Sequence, residues 1–570
     1  VAGNVITFNG EIYNFIELRE ELGATNFSTR SDTEVILKAY ERWGVHCVER
    51  LRGMFAFAIW DARKEALFVA RDRFGIKPFY FVERPGSFVF ASEMKALLPF
   101  LDGIETCPDA LSEYFTFQFC LGERTLFKGV RQLPPAHAGY VHRDGRIELR
   151  QYWEVHYDLD WDHTQHYFVK KVRETIKGSI DVHLRSDVPV GAYVSGGIDS
   201  SLVALLARDL RAESSFSIFN GRFREPGYDE SEYAAAVASR GSMQLEVGTF
   251  SEADFVEGVG KLIYHLDQPV AGPGSFPQYF VSALARQHVK VVLGGQGGDE
   301  IFGGYVRYLI AYFEQCVKGA IDGTMRSGNF LVTYESIIPN LVTLRQYKPL
   351  LQEFWANGIF DERDKRYFRL VNRANTFGGA IRPGVIRPES TFETFQQTYW
   401  GKNVGKEAYF DSMTHFDFKT LLPALLHVED RVSMAHGLES RVPLIDHEVV
   451  ELAATIPADI KFQGGELKRL LRQAFADTLP AEILHRKDKM GFPVPMADWM
   501  RNGKLLPTFL RDTLGSQRAR SREYLSETFD SDSLFQSGSP FNRNVWALLS
   551  LELWQQAFHD KSREWKQCEF

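Results

Sequence analysis

The 570-residue sequence predicts an α+β layered domain followed by an α/β domain on a parallel sheet, which ends in a largely helical part. Three observations carry that prediction. Residues 1–152 run through successive apolar hairpins with their helices grouped apart, the pattern of an α+β layered unit. From residue 166 strands and helices alternate, as a parallel sheet requires. Beyond residue 305 the periodicity is mostly helical, so the second domain runs over 166–570.

In the first domain, residues 33–43 place Val35, Ile36, Ala39, Tyr40 and Trp43 on one helical stripe. The apolar runs 54–60 and 66–70 flank the polar turn 61–65 and predict a hairpin. Two more hairpins turn at Pro85-Gly86-Ser87 and at Asp144-Gly145. Residues 154–166, charged and aromatic, form a connector. Strands then fall at 191–194, 216–219, 244–247 and 289–293, with helices at 201–210, 230–240 and 278–286 between them. Ligands of such a sheet bind at the carboxyl ends of its strands. Residues 310–420 carry no assignable motif.

Composition narrows the functional classes. With 66 basic and 74 acidic side chains the formal net charge is −8, which argues against nucleic-acid or anionic-membrane partners. The 44% hydrophobic content excludes a disordered chain, and 45 Phe against 10 Trp points to core filling. Cys47, Cys107, Cys120, Cys316 and Cys568 form neither a CxxC pair nor a zinc spacing, which fits a reducing, cytoplasmic setting. No uncharged apolar run approaches 18 residues, and no signal peptide opens the chain. Val1 instead of Met, leading into the β-like Val5-Ile6-Thr7-Phe8, predicts a fragment whose start lies upstream.

The strongest local signal is Ser195-Gly196-Gly197-Ile198-Asp199-Ser200-Ser201, between a strand and a helix. Two glycines let the backbone curl into an anion nest, the serines add hydroxyl donors, and the helix adds its positive end. Asp199 would repel a phosphate unless a cation lay between them, which implies magnesium. No Gly-Lys-Ser/Thr tripeptide exists for a Walker A loop, and Tyr193 stands where a serine-hydrolase elbow needs glycine. A second loop, Gly294-Gly295-Gln296-Gly297-Gly298-Asp299-Glu300, closes the fourth strand on the same sheet edge. Asp199 and Asp299 are thereby predicted to share magnesium over one triphosphate. Taken alone, Asn9-Gly10 is a hairpin-turn signal.

These motifs carry a resemblance. Ser195 to Ser201 resembles the pyrophosphate loop of N-type ATP pyrophosphatases. With Gly294 to Tyr305, with Val428-Glu429-Asp430-Arg431 through Pro443, and with Asp446, Lys468 and 489–493, the chain resembles the glutamine-hydrolysing asparagine synthetase family. Asn9 to Asn14, Ser31 to Glu34, Gly53 to Phe57 and Arg71 to Pro78 resemble its class II glutamine amidotransferase domain, which implies an Ntn-type αββα first domain.

The resemblance implies ATP as substrate, Mg²⁺ as cofactor, glutamine as nitrogen donor and a carboxylate acceptor, giving an amide, AMP, pyrophosphate and glutamate. A homodimer is a compatible assembly. It assigns Asn9, Gly10, Glu11 and Asp32 to glutamine binding, with Asn9 and Gly10 at the oxyanion. It assigns Tyr193, Ser195, Gly196, Gly197, Ile198, Asp199, Ser200, Ser201, Ile218, Gly294 and Gly295 to ATP, and Lys468 to the adenylation step. The family's N-terminal cysteine nucleophile has no counterpart, so the fragment is predicted not to hydrolyse glutamine. Cys47 is predicted to be a packed core thiol. Glu439 and Arg441 are assigned to packing or ion pairing, and an apolar ammonia passage is placed near residues 54–57. Gln296 stands at the acceptor site where asparagine synthetases carry glutamate, which removes a charge and a candidate base. The same machinery acting on a uronate, cell-wall or peptide carboxylate is therefore an alternative, and a degenerate binding subunit is another.

Overall fold

Residues 3–567 are described by a computed structural model, apart from 212–214, 271, 313, 315–357, 359–360, 406–408, 463–465, 487–492 and 536–542. Cys316, Cys568, the 489–492 part of the C-terminal motif and much of 310–420 lie outside the described residues.

The first domain contributes eight strands: β1 (Val5–Ile12), β2 (Gly53–Asp61), β3 (Ala66–Arg71), β4 (Tyr80–Arg84), β5 (Ser87–Ala91), β6 (Arg131–Gln132), β7 (His137–His142) and β8 (Ile147–Gln151). They form an antiparallel sheet in the order β1-β2-β3-β7-β8 and a smaller one in the order β5-β4-β6. Strand periodicity sorts β2 onto two faces. Phe55, Phe57 and Ile59 pack with Val35, Ile36 and Ala39 of the helix Asp32–Trp43. Ala56 and Ala58 point the other way, against Phe79, Phe81 and Leu133 beside the second sheet. The far side of that sheet, Tyr80 and Val82, packs on Met94, Leu97 and the helix Pro108–Phe117. Helix, sheet, sheet and helix are thus stacked in layers. Asn9 and Gly10 sit inside β1, opposite Ala56 and Phe55, so the turn suggested by Asn-Gly alone does not form. The β2 ladder and the apolar neighbours Phe8 and Ile12 override it.

Five further strands, β9 (Val190–Tyr193), β10 (Ser217–Phe223), β11 (Gln244–Phe250), β12 (Val291–Leu293) and β13 (Glu439–Arg441), make a wholly parallel sheet in the order β11-β10-β9-β12-β13. β13 lies in the region predicted to be helical. Three residues reading Glu-Ser-Arg carry no apolar pattern, and only the ladder to β12 makes them a strand. The chain builds outward from β9 to β10 and β11, then crosses back to β12 on the other flank of β9. That reversal is the switch point at which open α/β sheets form a ligand crevice, here at the carboxyl ends of β9 and β12.

The two domains share a polar and apolar boundary. Met54, Phe74 and Ile76 join a core with Val190, Ala192 and Leu293. Lys77 Nζ donates to Asp430 Oδ1 at 2.9 Å with both side chains buried, and Arg52 forks onto Asp446 at 2.8 and 2.9 Å. Among the described residues no helix is long and apolar enough to cross a membrane.

Candidate active site

The first glycine loop leaves β9 and enters the helix Ile198–Leu210 at the crevice. Gly196 has φ +70°, and a Cβ there would lie 2.4 Å from Tyr233 Cβ, so both backbone and space demand glycine. The Ser200 hydroxyl closes the curl by accepting from the Ser195 N–H at 3.1 Å and donating to the Gly197 carbonyl at 3.3 Å. The second loop follows β12 and presses against the first. A Cβ on Gly298 would stand 2.5 Å from Asp199 Oδ1, so glycine there sets the distance between the loops.

Lys468 joins them. Its ammonium pairs with Asp199 Oδ2 and with Asp299 Oδ1, and its side chain is buried. Lys468 has φ +55° and immediately precedes the helix Arg469–Ala474. A left-handed, buried lysine is unlike the solvated helix lysine that its sequence neighbourhood alone describes. Asp199 and Asp299, expected to share magnesium, both contact the Lys468 ammonium. Among the described residues no group of three or more His, Cys, Asp or Glu is placed to hold a metal.

The remaining predicted ATP residues divide. Ser195, Gly197 and Ser201 lie in the first loop or its helix, and Gly294 and Gly295 lie in the second. Tyr193 is buried, its hydroxyl 2.7 Å from Ser282 Oγ, and burial pushes its phenol pKa well up. The side chains of Ile198 and Ile218 are buried in the core with Val190, Ala192 and Leu202, leaving the main chain as their route to a ligand. Gln296 is half-buried and donates through Nε2 to Glu429 Oε2 at 3.2 Å. Glu439 and Arg441 form an ion pair at 2.6 Å.

Three contributors were not assigned to this site from the sequence. Arg486 donates to the Gly196 carbonyl at 3.0 Å, pairs with Glu230, and stacks 3.8 Å above the Tyr233 ring. Glu429 underlies the second loop. Arg441 accepts the Gly294 N–H on its carbonyl at 2.7 Å, while its guanidinium lies 3.7 Å from Glu11. Only the long apolar-and-charged motif around 428–443 could have drawn attention to two of them.

On the other side of the boundary, Asn9, Gly10 and Glu11 follow one another along β1. Asn9 Nδ2 donates to Ser92 Oγ at 3.3 Å, and Asp32 Oδ2 accepts from the Ile12 N–H at 3.1 Å. Burial raises the Asp32 pKa. Burial, then the Glu439 carboxylate, lifts Glu11 to about 7 against the pull of Arg441. Cys47 is fully buried among Val35, Ile36 and Val48, and burial pushes its thiol up to about 12.

Residues 171–556 match the asparagine synthase family, and residues 2–153 match the glutamine amidotransferase domain. Asparagine synthetase [glutamine-hydrolyzing] 1 of Bacillus subtilis is 33% identical over 96% of this chain and 85% of its own length. Asparagine synthetase [glutamine-hydrolyzing] 3 of the same organism is 29% identical over 94% of this chain and 82% of its own. The amidase chyE of Penicillium rubens is 26% identical over 85% and 76% respectively. The chain belongs to the glutamine-hydrolysing asparagine synthetase family, carbon–nitrogen ligases that join a glutamine amidotransferase domain to an asparagine synthase domain.

Proposed function

We propose that the domain at 166–570 adenylates a carboxylate with ATP and then amidates it, and that the domain at 1–152 is the Ntn-type unit that binds the glutamine supplying the nitrogen. A carboxylate resists ammonia because oxide would have to leave. Transfer of AMP onto it releases pyrophosphate and installs a good leaving group, which ammonia then displaces to give the amide and AMP. The observation that carries this reading is the contact of one buried ammonium, Lys468, with Asp199 and Asp299 at the mouths of adjacent parallel strands.

In this reading the Ser195 to Ser201 curl holds the departing pyrophosphate with backbone N–H groups and hydroxyls, and Arg486 keeps the Gly196 carbonyl turned away from it. Lys468 neutralises charge that builds on the phosphates during transfer. Asp199 and Asp299 offer the hard carboxylate oxygens that suit magnesium, an ion that keeps one or two carboxylates beside phosphate oxygens and water. Magnesium bound there would screen the triphosphate charge. Asn9, Gly10, Glu11 and Asp32 line the glutamine pocket, where the Asn9 amide can donate to an oxyanion.

Aspartate is the first acceptor to test. Gln296 favours testing other carboxylates beside it, since the loop offers a neutral amide at that point. Substrate-dependent pyrophosphate release, screened over aspartate and several uronates with ammonium chloride, tests the reading. Release with one acceptor class supports it and names the substrate. No release with any acceptor, from a chain that binds ATP, would overturn it.

A further inference from the structure

Glu429 is a buried carboxylate whose side-chain hydrogen-bond donors among the described residues are neutral. Gln278 and Gln296 donate their side-chain N–H₂ groups to Oε2, and Ser440 donates its hydroxyl to Oε1. The donors come from three separate elements, the helix Ser275–Arg286, the second glycine loop and β13. Glu429 itself is on the helix Leu421–Met434. Both its oxygens accept, so the set fits an ionised carboxylate rather than an acid that must donate. Burial raises its pKa and the three donors oppose that rise. The charged neighbour that acts on it is Asp430, already paired with Lys77, while the buried Tyr193 phenol nearby is neutral.

An anion can only accept, so it fixes which end of the Gln296 amide faces it. Nε2 turns to Glu429, and Oε1 is presented on the opposite side. A neutral acceptor is what an incoming ammonia molecule requires. Ammonia has three N–H donors and one lone pair, and the lone pair must stay free to attack carbon. An amide N–H₂ at that place would occupy the lone pair, whereas an amide oxygen binds ammonia through N–H. As the C–N bond forms, positive charge grows on nitrogen, and an amide dipole backed by a buried anion favours it.

We propose that Glu429, acting through Gln296, is the positioning residue for the nitrogen nucleophile in the amidation half of the reaction. The inference rests on the adenylate reading above. In the step, the ammonia lone pair forms the C–N bond and the acyl C–O bond to AMP breaks with its electron pair on the phosphate. One N–H proton passes to that phosphate. The location agrees: Asp430, the next residue, pairs with Lys77 of the first domain, so this helix turn lies between the nitrogen-supplying domain and the second loop.

The test compares two rates in one chain, ammonia-dependent amide formation and acceptor-dependent exchange of ATP with pyrophosphate. Ammonium chloride is the nitrogen source, and the acceptor is whichever carboxylate supports exchange. Glu429→Gln can donate to Gln296 as well as accept, so it releases the amide orientation and removes the charge. The expected result is an amide-to-exchange ratio lower by about tenfold or more, with a raised KM for ammonia. An unchanged ratio, or both rates falling in parallel as a structural defect would cause, overturns the proposal. Gln296→Leu, at a half-buried loop position, gives the same reading by the same ratio if Glu429→Gln does not fold. A parent chain with no exchange for any acceptor counts against adenylation, while an unchanged ratio in an exchanging enzyme counts against Glu429 alone.

Discussion

The proposed glutamine pocket and the proposed nucleotide crevice are built by opposite means. Asn9, Gly10 and Glu11 are consecutive on one strand, held by its ladder to β2, and their side chains make few contacts with one another. The crevice instead gathers Asp199, Asp299, Glu429, Lys468 and Arg486 from distant segments, each held by a residue from another segment. Damage to the strand-borne pocket should stay local. Damage to the crevice should spread, because each side chain there fixes the position of a partner.

The largest effect is expected from Lys468→Met. It removes the cation between two carboxylates, and acceptor-dependent ATP–pyrophosphate exchange should fall by about 10²–10³-fold. An exchange rate near the parent's would erase the contrast between the regions. Gly298→Ala comes next, since its Cβ would lie 2.5 Å from Asp199 Oδ1. A loss of about 1–3 kcal/mol is expected in thermal or denaturant unfolding, with a rise in KM for ATP. An alanine tolerated without either change would show that the loops can separate.

Arg486→Lys keeps the charge but loses the planar fork that reaches the Gly196 carbonyl and Glu230 together. The KM for ATP should rise by roughly threefold to tenfold, read by initial rates, while glutamine binding measured by calorimetry is unaffected. A parallel loss of glutamine binding would mean the two regions are not independent.

The smallest effect belongs to Glu11, whose pKa near 7 lies above that of an unfolded glutamate. Between about pH 4.5 and 7 the folded chain therefore binds more protons than the unfolded chain, and stability falls as pH rises. Glu11→Gln should melt slightly higher than the parent at pH 8, with the difference vanishing below about pH 4.5. A difference that instead grows toward acid would reverse the assignment of burial as the main cause.

Much of this was legible along the chain. The two glycine loops, the strand–helix alternation and the helical stripe of 33–43 are local patterns, and local patterns survive into structure where tertiary packing agrees with them. β13 was not legible, because three polar residues have no period of their own. Asn9-Gly10 was misleading by itself, because a turn dipeptide yields to a strand ladder when its neighbours are apolar. Arg486 was silent, and Glu429 stood in a recognised motif without a role, because a single charged side chain carries no signal of what it will face.

The amino-acid sequence by itself determined the chemistry on offer: a curled, hydroxyl-rich loop, a second glycine loop, and carboxylates in both. Only the tertiary structure decided the pairings. Lys468 reaches Asp199 across 269 residues of chain and Arg52 reaches Asp446 across 394. Such contacts depend on strand order and on the crossover that sets β12 beside β9, and no local pattern encodes that geometry.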